Sequence, residues 1–336
     1  MTISHEYIGT PRNRATRGSD LSLIKTVYKR DDLHSYCDLS DEVLHYIENS
    51  VSKNTIRSRE SDIRAFLRWG GHFPSTPEEV AHFFADQAKV KKFSTIQRYG
   101  TSLNHWHGAN RYPSPCKTEL ARAVMAGIGR THGRKQKQAK PLLIEDIKQL
   151  NDAHHGDQLA DYRHRSMLLL GFAGAFRRSE LCAINYSDLE FVSEGVQVTL
   201  PKSKTNQSGE REIKPIPHAK REVQYCPVTH LKEWLRVSGI NQGPVYRRIT
   251  RKGVLGEHPL TGDGFSKILK ILCQEAQLDT TGISPHSLRA GFITTAYLAG
   301  KDRLKTKQIS GHRSDEIFEK YIRDADLYRN NAADLF

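Results

Sequence analysis

Apolar residues recur at helical spacing over most of the chain. From Leu39 onward they fall three and four apart, which places them on one face of a 3.6-residue helix. Over 54–69, Ile56, Ile63, Phe66 and Leu67 share such a face, and Asn54 or Thr55 stands where a cap belongs. Thr76-Pro77-Glu78-Glu79 combines a capping hydroxyl, a proline at the first helical position and a glutamate that can reach back, ahead of Val80, Phe83 and Phe84. A pattern over 94–107 carries Ile96, Tyr99, Leu103 and Trp106, and another over 118–128 is closed by Gly129. Residues 39–130 therefore predict a compact all-helical domain.

The pattern stops at GRTHGRKQKQAKP, residues 129–141, where Ala139 is the only apolar side chain. That composition predicts an exposed basic linker over 131–140. Arg130, Arg134, Lys135, Lys137 and Lys140 could hold a phosphate backbone, or they could simply keep a tether in water. Helical spacing returns over 142–154, 159–173 and 177–184. Alternating patterns over 196–200 and 212–217 predict a hairpin, joined by a basic loop with Lys202 and Lys204. Three more helical stretches follow, over 229–237, 264–278 and 287–299. The expected fold is mostly α with a small antiparallel β-sheet, in an N-terminal helical domain and a larger second domain over 141–336. Residues 1–38 lack a hydrophobic period and carry Arg12, Arg14, Arg17, Lys25, Lys29 and Arg30, so they read as a flexible basic arm.

Composition narrows the class. The 336 residues suit about two domains, and 51 Lys and Arg against 38 Asp and Glu leave a net charge of +13. Such an excess favours a polyanionic partner, nucleic acid before a membrane surface. No apolar run approaches the roughly 20 residues that span a bilayer, and the first residues lack an apolar signal core. A cytoplasmic protein is expected. The five cysteines are scattered, without a C-x-x-C pair, and read as reduced core thiols. His154-His155 and His105-x-His107 lack the i, i+4 spacing of a helical metal pair, so no metal is expected. No P-loop, dinucleotide fingerprint, nucleophile elbow or H-E-x-x-H motif is present.

What remains is an ordered set of polar residues: Arg177-x-Ser179-Glu180-Leu181, Lys204 in the hairpin, His286-x-x-Arg289, Gly311-His312 and Tyr321. In this order, with nine residues from His312 to Tyr321, the set resembles the tyrosine recombinase (phage integrase) family. The segments PHSLRAGF and KYIRDADLY look most like its Cre-type, single-core branch. The resemblance covers 141–336 closely, as a catalytic domain, and 39–130 loosely, as a core-binding domain. It implies two domains clamped around double-stranded DNA, a monomer in solution or a dimer on one site, and a tetramer when two sites are brought together. It also implies cleavage by Tyr321 through a 3′-phosphotyrosyl bond, with no cofactor.

The chemistry asks for these residue types. A tyrosine phenol, with a pKa of about 10, needs a positive surrounding to attack a phosphodiester. Arg177 and Arg289 can clamp the non-bridging oxygens with permanently charged planar forks. Lys204 can give the leaving 5′-oxygen its proton, and His286 and His312 can move protons or hydrogen-bond the phosphate. Glu180, three residues after Arg177, can orient that arginine or His286. Rivals stand beside three of these: Arg178 beside Arg177, Lys202 beside Lys204, and Tyr328 seven residues after Tyr321. The set departs from the family in two places. Many members have glycine two residues before the first arginine, whereas here Gly174 is three before and Phe176 directly precedes Arg177; many have His-Thr or His-Ser after the second, where this chain has Ala290-Gly291. DNA relaxation of the type IB topoisomerase kind, or silent occupation of a site, are the competing functions.

Overall fold

The computed structural model describes residues 40–134, 138–200, 212–312 and 314–323. The chain divides into two compact units, Met1–Gln136 and Lys137–Phe336. The expected N-terminal arm, Lys135, Lys137, Lys202, Lys204 and Tyr328 lie outside the described residues.

The first unit is helical throughout its described length: α1 (Asp41–Asn49), α2 (Lys53–Trp69), α3 (Pro77–Ala88), α4 (Phe93–Ala109) and α5 (Glu119–His132). Its core gathers the stripes read from the sequence, with Phe66, Val80, Phe83, Phe84, Ile96 and Leu103 all buried. Thr76 caps α3 with Pro77 in its first turn, as its motif requires. Two boundaries differ from the expected ones. The cap of α2 is Ser52, whose hydroxyl accepts from the Thr55 amide at 3.2 Å, so the helix starts before Asn54. Gly129 does not end α5, which runs on to His132. A Cβ at Gly129 would lie 3.1 Å from the Phe93 ring, so the glycine serves close packing.

The second unit is built on α7 (Leu159–Ala173), whose Met167, Leu168, Leu169, Leu170 and Phe172 are all buried. A helix apolar on nearly every side must be surrounded. The later helices α9 (Pro227–Ser238) and α11 (His286–Leu298) pack against it, and α6 (Ile144–Asp152) precedes it. Short α8 (Arg178–Ala183) leads to an antiparallel sheet of order β1 (Leu189–Val192), β2 (Gly195–Leu200), β3 (Glu212–Pro217), with Gly195 opposite Pro217 and Leu200 opposite Glu212. β4 (Arg247–Ile249) and β5 (Leu255–Pro259) form a second, two-stranded sheet. The unit continues through α10 (Gly262–Glu275) and, after α11, ends its described part with α12 (Arg303–Ser310) and α13 (Asp315–Arg323). Thus β1, β4, β5, α12 and α13 add to the elements expected from patterning. Among the described residues no helix is long and apolar enough to cross a membrane, and Cys116, Cys182, Cys226 and Cys273 are free.

The two departures from the family pattern have local causes. Ala175 adopts φ +46°, the left-handed region where glycine is the easier occupant. Gly291, in contrast, is demanded by its surroundings: a Cβ there would lie 1.6 Å from the Leu142 carbonyl oxygen and 2.5 Å from its carbon. Both atoms are backbone, so the segment before α6 would have to move away from α11. Gly291→Ala is expected to cost about 3 kcal/mol, read as a lowered midpoint in thermal denaturation.

Candidate active site

Arg177 is the N-cap of α8, with extended backbone (φ −69°, ψ 150°) after the turn that follows α7. Glu180, in the first turn, reaches back to accept from the Arg177 amide at 2.9 Å and forms an ion pair with its guanidinium. A glutamate at this position satisfies an amide the helix leaves free. Glu180 is buried, which alone would raise its carboxyl pKa; the Arg177 amide and charge, with Lys214 nearby, outweigh burial and hold it below the usual range. The rival Arg178 turns outward to Asp263, at 3.0 Å.

α11 delivers two residues from its first turn. His286 Nε2 lies 2.6 Å from the Tyr321 hydroxyl. Arg289 is 1% exposed, a cation placed at the bottom of the site. Its Nη1 donates to the Ala175 carbonyl at 2.9 Å, and its Nη2 lies 3.4 Å from the His312 ring nitrogens. Its Nε is buried without a hydrogen-bond partner among the described residues. Burial, then the neighbouring Arg177, pull the Arg289 pKa down to about 10, so it remains charged at neutral pH.

His312 follows α12, whose C-cap Gly311 has φ +60°. Its Nδ1 lies 2.9 Å from the Ser310 hydroxyl, and its ring centroid is 5.4 Å from that of Tyr321. Burial, followed by the charges of Arg289 and Arg177, drives its pKa to about 3; the same causes lower His286. Both imidazoles are therefore neutral at pH 7. Tyr321 stands on α13, which packs Phe318 and Ile322 against Ile293 of α11. The Thr294 hydroxyl donates to the Tyr321 carbonyl at 3.2 Å. Burial raises the phenol pKa while Arg289 and Arg177 pull it back down.

Five of the six expected principal residues thus meet: Arg177, His286, Arg289, His312 and Tyr321, with Glu180 behind Arg177. The sixth, Lys204, lies in the loop outside the described residues. A lysine the sequence reading passed over, Lys214 on β3, is present at the same place and is 1% exposed. The proposed phosphate contacts divide. Arg130 lies in the last turn of α5 and is exposed; Arg134 lies over the Phe93 ring, 5.7 Å from its centroid. Lys140 belongs to the second unit, where its amide donates to the Gly282 carbonyl at 3.1 Å and its ammonium lies 3.8 Å from Asp279.

A second polar cluster was invisible to spacing alone. His154 Nε2 lies 2.9 Å from Asp161 Oδ1 and 3.2 Å from His164 Nδ1, close enough together to suggest a metal cradle. However, the Arg163 guanidinium stands 2.8 Å from the other His164 nitrogen. That nitrogen must accept, so Nδ1 carries the proton and has no lone pair for a cation. The donor set does not fit a metal; it forms a hydrogen-bonded network joining α7 to Glu275 of α10, which lies 3.0 Å from His154.

The chain is similar to proteins named as recombinases. An integrase/recombinase XerD homologue of Selenomonas ruminantium is 33% identical over 302 residues, covering 88% of each chain. A tyrosine recombinase XerD of Listeria monocytogenes serotype 4b is 25% identical over 312 residues, 87% of this chain and 97% of the relative. Among solved structures, a lambda integrase tetramer bound to a Holliday junction matches with a TM-score of 0.61 at 16% identity, over 87% of this chain and 78% of that one. The XerH site-specific recombinase, in a post-cleavage complex with palindromic difH, matches with a TM-score of 0.61 at 16% identity, over 88% of this chain and 84% of that one. At such identities the structural likeness is one of fold. Residues 140–327 match the model of the phage integrase family, and with the Selenomonas relative this establishes that the chain belongs to that family.

Proposed function

We propose that the chain is a site-specific DNA recombinase that cleaves and rejoins duplex DNA through Tyr321. The observation that carries this reading is the Tyr321 hydroxyl 2.6 Å from neutral His286, in a cluster with two guanidiniums, one of which has a buried N–H with no partner among the described residues. With Nε2 of His286 unprotonated, the phenol donates to it. The proton passes there as the phenolic oxygen attacks phosphorus. Arg177 and Arg289 take the charge on the non-bridging oxygens, the Nε–H of Arg289 among the donors. His312, uncharged, contributes a hydrogen bond. Lys204, with Lys202 as rival, protonates the leaving 5′-oxygen, and the 3′-phosphate stays on Tyr321 until a 5′-hydroxyl from the partner duplex reverses the reaction.

The residues of the N-terminal unit and the basic segment beside it, Arg130, Arg134, Lys135, Lys137 and Lys140, hold the phosphate backbone in a salt-sensitive way without reading sequence. Four copies bring two sites together, from monomers in solution through dimers on single sites. Such a protein works in the cytoplasm, at the nucleoid. The test uses a supercoiled plasmid carrying two copies of the site, defined by footprinting, in EDTA. Reciprocal recombinant circles are expected; relaxation without recombinants would instead support a topoisomerase.

A further inference from the structure

We propose that Lys214 is a positioning residue for strand cleavage, its buried ammonium tying the segment that delivers Arg177 to the segment that delivers His312. The proposal rests on reading the cluster as a strand-cleavage site. Lys214 lies on the inward face of β3 beside Ile216, and burying an ammonium is costly unless strong acceptors receive it. Its Nζ donates to the Gly174 carbonyl at 3.0 Å and to the Ile309 carbonyl, and lies 5.3 Å from the Phe176 ring centroid.

Both carbonyls belong to helix ends. Gly174 is the C-cap of α7, and Ile309 lies in the last turn of α12. Such ends leave carbonyls unsatisfied and carry partial negative charge, which one cation can serve twice. Arg177 comes three residues after Gly174, and His312 three after Ile309. The next carbonyl of the first turn, that of Ala175, is held by Arg289. Two successive peptides of the turn that launches Arg177 are therefore fixed by two cations, and one of these cations also fixes the helix end that launches His312. Glu180 and Glu212 offset the charge of Lys214, while Arg289 and Arg177 oppose it; burial lowers its pKa to about 8. With two of its three donors committed to backbone carbonyls, Lys214 acts on the arginine and histidine rather than on the leaving group.

The test compares single-turnover cleavage of a suicide duplex with site binding. In Lys214→Met, binding is expected to hold within about threefold, because the lysine is buried and takes no phosphate. Cleavage is expected to fall about 100-fold through misplaced reacting groups, and Lys214→Arg, which keeps charge and donors, to recover part of it. A substrate with sulfur as the leaving atom needs no proton, so it should not rescue Lys214→Met; rescue would make Lys214 a proton donor and overturn the proposal. Ile216→Ala, on the same face of β3, controls for stability: it should lower the thermal midpoint and leave cleavage below that midpoint unchanged. Cleavage by Lys214→Met at the wild-type rate, or reduced only in step with stability, would also overturn it. If the methionine variant does not fold, Lys214→Gln is read the same way. Intact cleavage in Lys214→Met with none in Tyr321→Phe would sink the positioning role alone, whereas an adduct in Tyr321→Phe would sink the underlying reading.

Discussion

Tyr321→Phe is expected to bind its site normally and to form no covalent adduct with DNA. The change deletes one oxygen and keeps the ring that packs beside Ile293, Phe318 and Ile322 of the α11–α13 contact. α13 should therefore stay docked, and the cations should remain in place. Among the described residues the hydroxyl donates to no backbone group; its partner is His286 at 2.6 Å. Loss of the adduct, without loss of binding or thermal stability, would isolate the chemistry from the fold. The assay is denaturing electrophoresis after incubation with a suicide duplex, beside a binding measurement on the same preparation.

Arg289→Lys is expected to reduce the cleavage rate by about 10²–10³, the scale of losing a preorganised donor to a developing oxyanion. Lysine keeps the positive charge and can reach one acceptor, but it cannot hold the Ala175 carbonyl and present further N–H donors in one plane. Site affinity should change much less, since one phosphate contact among many sets only a fraction of binding. Equal losses in binding and cleavage would place Arg289 in DNA grip rather than in the transition state. Single-turnover rates at saturating protein separate these outcomes.

Much of the site was legible in the sequence because its chemistry restricts residue type and order. Arg177, His286, Arg289, His312 and Tyr321 could be picked out before any geometry, and the family resemblance follows from their order. Arg177 and Arg178 part by position: the first is the N-cap of α8 and pairs with Glu180, while the second pairs with Asp263. Lys214 was illegible for a specific reason. In EIKPIP, alternation groups Ile213, Pro215 and Pro217 on the face that looks apolar, yet β3 buries Lys214 and Ile216 and leaves Ile213 50% exposed. A strand's inward face is chosen by what it meets, and here it meets two helix-end carbonyls.

The fold shows the same division. Long amphipathic helices with motif caps, such as α3, announce themselves. β1 has four residues, none of them fully buried, and α12 buries only Thr306 and Ser310, so neither carries a hydrophobic period to read. Gly129 and Gly291 look like breakers in a sequence but lie inside helices, where another element approaches closely. Ala175, in the left-handed region at the turn before Arg177, carries no signal in its own residue type; only the family's glycine at that position hints at it.

The central claim is that Tyr321 becomes the residue joined to DNA. The direct measurement is proteolysis of the trapped protein–DNA complex, nuclease trimming, and mass spectrometry of the peptide that retains a nucleotide. The expected product carries the nucleotide on the Tyr321 phenol and is absent from Tyr321→Phe. A nucleotide on Tyr328, or an adduct that survives undiminished in Tyr321→Phe, would contradict it.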